Sequence, residues 1–492
     1  MTALPTETEL KLWLRHEDAE AFKTLARLRR ARPQQRALRT IYFDTADFRL
    51  AGKGVALRVR RVGTGWVQTL KTEGERKGGL STRLELESPV AGPELDFSQL
   101  PAKTVAKLIP QTWRSQLIPV YETRFHRSVW PLRVRASRVE VALDVGEIVA
   151  GRRRLPLCEV ELELGAGEVA ALYELAQALA KNVLLIPFDL SKAERGTRLA
   201  IGKAAQPQAA IQPTLEKHMP AAAAFACIAR VCLEQLQANL PGLLQADDPE
   251  YLHQARVAVR RLRSATRLFQ KTCPPPAGPM SRIADLGKAL GEARDWDVLV
   301  LDTLPPLLAT LPPAQHRLLG RRALEARRKL RAAALDLVRQ PQTGSALLAL
   351  HRWLDEVEMQ PGRPELIDLA GKKLARLQAA VLKASAGFVK QSPAQRHVLR
   401  IRVKRLRYAL DYLGSLFDGG NKFARHFAAL QDALGIMNDT TVALGLVKQL
   451  NPDGRLDEAL THASQQLDQQ LVQRLLASDK ALGKFLRAKP VW

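Results

Sequence analysis

Residues 7–14 read ETELKLWL. Glu7, Glu9, Lys11 and Trp13 fall on one side and Thr8, Leu10, Leu12 and Leu14 on the other, a period of two that belongs to a β-strand. The alternation returns in ALRVRR (Arg58, Arg60), STRLELES (Arg83, Glu85, Glu87), RVEVALDV (Glu140, Asp144) and CEVELEL (Glu159, Glu161, Glu163). One strand of this kind is an ordinary sheet segment with a solvated face. Several in one stretch, with both signs of charge on their polar faces, predict a closed antiparallel barrel. Its charged faces would line a tunnel, and its apolar faces would pack outward against helices such as 168–181.

The pattern changes after residues 201–214, IGKAAQPQAAIQPT, which carry two prolines, no acidic residue and no apolar period. Such a stretch reads as a linker. Downstream the apolar period is 3.6, interrupted at CPPPAGPM (273–280), LPP (304–306 and 311–313) and PGRP (361–364), so this half is all-helical. It is also duplicated. HQARVAVRRLRSA from His253 matches HVLRIRVKRLRYA from His397, and LGKALGEARDWDV from Leu286 matches LQDALGIMNDTTV from Leu430, both at an offset of 144 residues. The expected class is an α+β multidomain chain: an N-terminal β-barrel tunnel with flanking helices over 1–202, a linker over 203–214, and a duplicated helical bundle over 215–490.

Of 492 residues, 75 are Lys or Arg and 50 Asp or Glu, a net charge of +25. The excess lies in both halves, with 34 basic and 24 acidic residues before position 211 and 41 and 26 from there on. It points to a polyanionic substrate or partner without choosing among nucleic acid, anionic membrane and polyphosphate. Only 5% of residues are aromatic and no stacking motif is present, which disfavours nucleic acid. The run Ala221–Ala229, cut by Arg230, is short for a membrane span, and MTALPTETEL has no signal-peptide character. Four scattered cysteines without zinc-ligand spacing fit a reducing compartment. The expected location is the cytoplasm, with no membrane partner.

In the first half, Glu7-x-Glu9-x-Lys11 sets two carboxylates and an ammonium on one strand face, and paired carboxylates suit a hard cation such as Mg²⁺ that is shared with phosphates. Acidic faces at Glu140, Asp144, Glu159 and Glu161 oppose basic ones at Arg58, Arg60, Lys71, Arg83 and Arg127. Such a pocket suits a metal-complexed polyphosphate.

These residues resemble the CYTH domains, or triphosphate tunnel metalloenzymes. The likeness is carried over about residues 5–202 by E-x-E-x-K at Glu7, ALRVRR, Lys71 in WVQTLK, RLELE, Arg127 before SVW, VALD, EVELEL and Lys192 in FDLSKAERGTRL. The resemblance implies hydrolysis of a triphosphate inside the barrel with Mg²⁺ or Mn²⁺. Glu7, Glu9, Asp144, Glu159 and Glu161 would then hold the metal. Lys11, Arg58, Arg60, Lys71, Arg83, Arg127 and Lys192 would bind phosphates, with Lys11 and Lys192 as the catalytic cations. Glu140 and Glu163 share the inward parity without an assigned role.

In the second half, His253, Arg256, Arg260, Arg263 and Arg267 follow steps of 3, 4, 3 and 4, one face of a helix, and the repeat presents His397, Arg400, Lys404 and Arg407. Like charges at this spacing repel, and no acidic partner is interleaved. This half resembles the CHAD family, helical domains associated with inorganic polyphosphate. His253, Arg256, Arg260, Arg263, His397, Arg400, Lys404 and Arg407 would therefore line a polyphosphate groove. One departure between the copies is Asn438 where the first has Arg294.

The expected function is metal-dependent hydrolysis of a triphosphate, inorganic triphosphate first because no aromatic platform for a base or thiamine ring is visible. Thiamine triphosphate, nucleoside triphosphates and adenylate cyclase chemistry on ATP are the alternatives within the family. A non-catalytic polyphosphate scaffold is the rival from another class.

Overall fold

A computed structural model describes residues 6–203, 205–360, 364–451, 453–454 and 456–492; most of the PGRP break and the first five residues lie outside them. The chain divides into two compact units. The first comprises the chain up to Pro207 together with Arg339–Arg352, and the second comprises Gln208–Val338 with Trp353–Trp492.

The first unit is built on one antiparallel sheet: β1 (Thr6–Trp13), β2 (Gln34–Asp44), β3 (Val55–Val62), β4 (Gly65–Thr72), β5 (Glu75–Lys77), β6 (Leu80–Val90), β7 (Ile118–Val134), β8 (Ser137–Ala150), β9 (Arg153–Ala166) and β10 (Ile186–Pro187). The order is β10-β1-β9-β8-β7-β2-β3-β4-β6-β5, and an additional β1–β6 pairing closes eight of the strands into a barrel. Strand β1 makes the closure by changing partners along its length. Thr6–Leu10 pair with β6, and Glu9–Trp13 pair with β9.

The alternation sorts the two faces as expected. Leu10, Leu12, Leu14, Val139, Val141, Leu143, Val160 and Leu162 form an outer apolar layer, covered by Leu172, Leu175, Ala176 and Leu179 of helix α1 (Ala170–Leu179). Leu348, far downstream in sequence, completes the same cluster. Of the charged positions on the other face, Glu9, Lys11, Arg58, Asp144 and Glu159 are withdrawn from solvent, with Glu9 at 2% exposure and Lys11 at 5%, whereas Glu87, Glu140 and Glu163 are exposed.

Helix α2 (Lys192–Ala200) starts in a capping box, in which the Ser191 hydroxyl accepts from Glu194 N–H and the Glu194 carboxylate accepts from Ser191 N–H. Its Gly196 permits a close approach to β7, since a Cβ there would lie 2.1 Å from the Tyr121 ring. The Tyr121 hydroxyl in turn donates to Ala193 O at 2.9 Å.

The second unit is helical: α3 (Ala221–Gln245), α4 (Pro249–Phe269), α5 (Ala277–Val298), α6 (Pro313–Arg339), the end of α7 (Pro341–Glu358), α8 (Leu366–Ser385), α9 (Pro393–Leu413), α10 (Gly420–Gln449) and α11 (Asp457–Leu486), with short helical turns between some of them. The repeat is visible in three dimensions. Helices α4 and α9 are both 21 residues long, each opens on a proline in its first turn, and each is capped by a side chain, Asp248 or Ser392. They meet where the buried Tyr412 hydroxyl donates to Arg261 O at 2.9 Å. Helix α3 is, among the described residues, the one helix long and apolar enough to cross a membrane, contrary to the short run seen in sequence; 72% of its apolar window is buried, and Phe225, Ile228, Leu233 and Leu236 are core residues.

Candidate functional site

Barrel register decides which charges meet. Cross-strand neighbours include Glu7 with Arg83, Lys11 with Glu161, Lys71 with Glu85 and Arg127 with Asp144, but also the like-charged pairs Glu9 with Glu163, Glu140 with Glu163 and Asp144 with Glu159. The inner faces enclose a cavity of about 570 Å³. Among its described lining residues are nine basic side chains (Lys11, Arg58, Arg60, Lys71, Arg76, Arg83, Arg127, Lys192, Arg198) and nine acidic ones (Glu7, Glu9, Asp44, Glu73, Glu85, Glu87, Glu161, Glu163, Glu194). Fixed charges at this density are stable only as a paired lattice, because an unpaired buried charge costs several kcal/mol.

Two clusters make up the core of that lattice. In the first, Lys71 Nζ lies 2.7 Å from Glu7 Oε2 and 2.7 Å from Glu85 Oε2, while Arg83 donates to Glu7 at 3.2 Å and to Glu9 at 2.6 Å. In the second, Arg127 makes two 2.7 Å bonds to Asp144 and one of 2.5 Å to Glu161. Lys192 Nζ sits 2.7 Å from Asp144 and 2.8 Å from Glu161 and also bonds Glu159, which is held as well by Arg195. Lys11 stands between the clusters, 3.4 Å from Glu9 and 4.0 Å from Glu161.

The proton equilibria follow from this arrangement. Burial works against the Lys192 ammonium, but Asp144, Glu159 and Glu161 overcome it and hold its pKa above the usual lysine range. Burial also opposes ionised Glu161, yet Lys192, Arg127 and Lys11 draw it well below an ordinary carboxylate. Burial first, then Arg58, lowers Lys71. Arg60, bonded to Thr40 Oγ1 at 3.1 Å, is pulled down to about 10 by burial and by the neighbouring Arg58 and Arg127. Glu163 shifts in the opposite direction from Glu161, pushed up to about 7 by burial and by Glu7 and Glu140.

Of the expected metal-binding residues, Asp144, Glu159 and Glu161 converge, with one oxygen from each lying within 4.8 Å of the others. Glu7 and Glu9 stand in the other cluster, engaged by Lys71, Arg83 and Lys11. Among the described residues the two sets are held by different cations apart from Lys11, which reaches both, a division invisible in the motif because it depends on which strand neighbours which. All seven expected phosphate-binding cations line the cavity.

Three contributors were not singled out from sequence. Tyr42 stacks on Tyr121 with ring centroids 4.7 Å apart and has a lowered pKa, because Arg58 and Arg60 outweigh its burial. Arg195 holds Glu159 from behind. Arg76 bonds Glu194 at 2.8 and 2.9 Å. Arg195 and Arg76 had sequence signals, one standing a helical turn after Lys192 and the other on a short strand beside RLELE.

In the helical unit the repeated basic faces are brought together only in part. Arg256, Arg260, Arg400 and Lys404 lie within electrostatic reach of one another, and burial with these three arginines depresses Lys404 to about 7. Nε of Arg260 and Nε of Arg400 are buried without a hydrogen-bond partner. Arg256 is paired with Asp295 at 2.9 Å, and the Arg260 guanidinium lies over the Tyr408 ring. Arg407 is instead occupied by Asp411 at 2.7 Å, and Arg267 and His397 are exposed. His253 is partly buried, with Nδ1 unpartnered, and burial and Arg294 lower its pKa. The two repeat histidines therefore occupy unlike environments, as Asn438 in place of Arg294 foreshadows. Arg263 has a nitrogen 3.8 Å from where a Gly287 Cβ would lie, on the side of α4 that packs against α5.

Comparison with known proteins agrees with both architectures. Residues 5–197 match the CYTH domain model, and residues 227–448 match the CHAD domain model. An inorganic triphosphatase of Haemophilus influenzae is 31% identical over 201 residues, which are 39% of this chain and 54% of that protein; the chain spans about half the length of this curated relative. The crystal structure of a CHAD domain from the plant Ricinus communis is 30% identical with a TM-score of 0.53, covering 59% of this chain and 99% of that one. The helical half thus belongs to the CHAD family, and the barrel ahead of it matches the CYTH domain.

Proposed function

We propose that the barrel hydrolyses a triphosphate, inorganic triphosphate first, and that the helical unit binds polyphosphate. The observation that carries the first reading is the enclosed cavity with nine cations and nine carboxylates. A neutral lattice of this kind cannot offset a multiply charged anion by itself, so the substrate must arrive with counter-cations or take over ion-pair partners. The triphosphatase activity of the Haemophilus influenzae relative supports the same reading.

Asp144, Glu159 and Glu161 fit a hard divalent ion, Mg²⁺ or Mn²⁺, because their donors are all carboxylate oxygens close enough to share one cation. When bound, such an ion supplies charge neutralisation on phosphate oxygens. Lys192 is the natural residue to turn from these carboxylates to phosphate, since its ammonium already lies among them. Arg58, Arg60, Lys71, Arg83 and Lys11 present fixed donors from other strands. Phosphoryl transfer needs mainly positioning and stabilisation of charge spreading over the equatorial oxygens, which such a ring supplies. Glu163, with a pKa near 7, is suited to accept a proton from the attacking water.

The cluster Arg256, Arg260, Arg400 and Lys404, with two buried unpartnered guanidinium nitrogens, supports an anion site in the second unit. That Cys158, Cys232 and Cys273 form no disulfide accords with a cytoplasmic location.

The deciding experiment measures phosphate release from inorganic, thiamine and nucleoside triphosphates, with Mg²⁺, with Mn²⁺ and with chelator. Release from inorganic triphosphate that disappears with chelator and in Glu161→Gln is expected. Absence of turnover on every substrate, with intact polyphosphate binding, would leave the scaffold reading.

A further inference from the structure

The first unit includes a segment that the sequence places among the helices. Residues 339–352, which open α7, belong to it. The Ser345 hydroxyl donates to Ala180 O at 2.9 Å, and Leu348 sits in the apolar layer outside the barrel. The seat leaves no slack, since a Cβ on Gly344 would fall 2.2 Å from Leu185 O.

The segment ends on His351, which has no exposed surface. Its ring lies against Gly78 so closely that a Cβ there would be 2.2 Å from both Cε1 and Nδ1. Gly78 and Gly79 form the left-handed turn between β5 and β6, with φ of 57° and 88°. That turn is wired into the tunnel. Gly79 O accepts from Lys11 N–H at 2.9 Å, Lys11 O accepts from Phe188 N–H at 2.9 Å, and Gly79 N–H donates to Asp189 Oδ1 at 2.6 Å. Asp189 stands two residues before Ser191, the cap of the helix that carries Lys192. The preceding strand adds Arg76, bonded to Glu194 of the same cap. The backbones that aim both tunnel lysines thus hang on one glycine turn, and an imidazole is packed against that turn.

We propose that His351 is a positioning residue of the tunnel, acting through the Gly78–Gly79 turn on Lys11 and on the start of α2. The proposal rests on the reading of the tunnel as a triphosphate site. It makes residues 339–352 part of the hydrolytic unit, so the first two hundred residues do not contain the whole of it.

The test uses the full chain. His351→Ala removes the ring and frees the turn, and a displacement on the order of 1 Å at a reacting group lowers turnover by about tenfold to a hundredfold. We expect kcat to fall in that range with KM changed by less than about threefold, because substrate binding is shared by the other cations. We also expect faster hydrogen exchange at the Lys11 and Gly79 amides, with exchange in β7–β8 unchanged. Gly78→Ala, which drives a methyl into the ring, should impair turnover similarly, and combining it with His351→Ala should recover part of the loss, because the methyl then occupies vacated space. Unchanged kcat and amide exchange in His351→Ala would overturn the proposal, as would strictly additive losses in the double variant. If the wild-type protein releases no phosphate from any triphosphate, the tunnel reading fails instead, and the exchange measurement still decides whether His351 holds the turn.

Discussion

Replacing Lys192 with methionine tests the lattice where it is most concentrated. The ammonium serves Asp144, Glu159 and Glu161 together, and the first two carboxylates have no exposed surface. Methionine keeps most of the aliphatic stem and removes only the charge. Arg127 and Arg195 remain, so the trio keeps two cationic partners but loses the shared one. Breaking a buried ion pair from one side costs about 3–5 kcal/mol, and at roughly 2–4 °C per kcal/mol for a unit of this size the transition of the first unit should drop by roughly 6–20 °C. The same change uncovers three converging oxygens, so Mg²⁺ should recover part of the loss. An ion at a hundred times its dissociation constant adds about 2.7 kcal/mol. In the wild-type protein the ion must displace the lysine, and its effect on stability should be smaller. Thermal unfolding of the full chain, followed by near-ultraviolet circular dichroism with and without Mg²⁺, measures all four states, with the exposed Lys181→Met as the control substitution. An unchanged transition in Lys192→Met, or equal Mg²⁺ shifts in variant and wild type, would refute the reasoning.

Two predictions concern the helical unit. Reversing charge at Arg260 and Lys404 together should weaken long-chain polyphosphate binding far more than reversing the exposed pair Arg321 and Arg328, with little change in triphosphate turnover, and wild-type affinity should fall steeply with salt as counterions are released; equal losses from the two double variants at one ionic strength would reject the groove. Arg327 is unsuitable as a control, being bonded to buried Asp297 at 2.7 Å. Because Lys404 is depressed to about 7 and a polyanion favours its charged form, polyphosphate affinity should be highest below pH 7 and decline above it, and Lys404→Arg should flatten the decline. The unliganded protein should show the linked effect on stability. Between the folded value near 7 and an unfolded value of about 10.4 the unfolded chain holds the extra proton, so stability rises with pH across that window, and thermal unfolding of Lys404→Met should lack that rise.

Much of the barrel was legible because a half-buried strand leaves a period of two, and a one-residue slip would carry every charge to the wrong face. Glu7, Glu9 and Lys11 could be assigned to one face from ETELKLWL alone, and the helical repeat could be read from an offset of 144 because duplicated helices keep duplicated caps and basic steps. Periodicity assigns a residue to a face. It does not choose the neighbouring strand.

That choice belongs to the tertiary structure, and it accounts for what the motifs left out. Closure of β1 on both β6 and β9 gives Glu7 and Glu9 to Arg83 and Lys71 while Asp144, Glu159 and Glu161 gather round Lys192, and it leaves Lys11 in reach of both groups. Glu163 is pushed up to about 7 by burial and by Glu7 and Glu140, the last of these set opposite it by the β8–β9 register. In the helical unit, equal sequence steps became unequal sites once Asp411 claimed Arg407 while burial left nitrogens of Arg260 and Arg400 unpartnered. His351 lies deepest beyond the reach of sequence, since its contact with Gly78 joins segments more than two hundred residues apart and no local pattern records it. Local sequence determines secondary structure and facing, because those follow from sterics and solvent within a few residues. Partners, proton affinities and the membership of residues 339–352 in the barrel unit follow from distances that exist only after the chain has closed on itself.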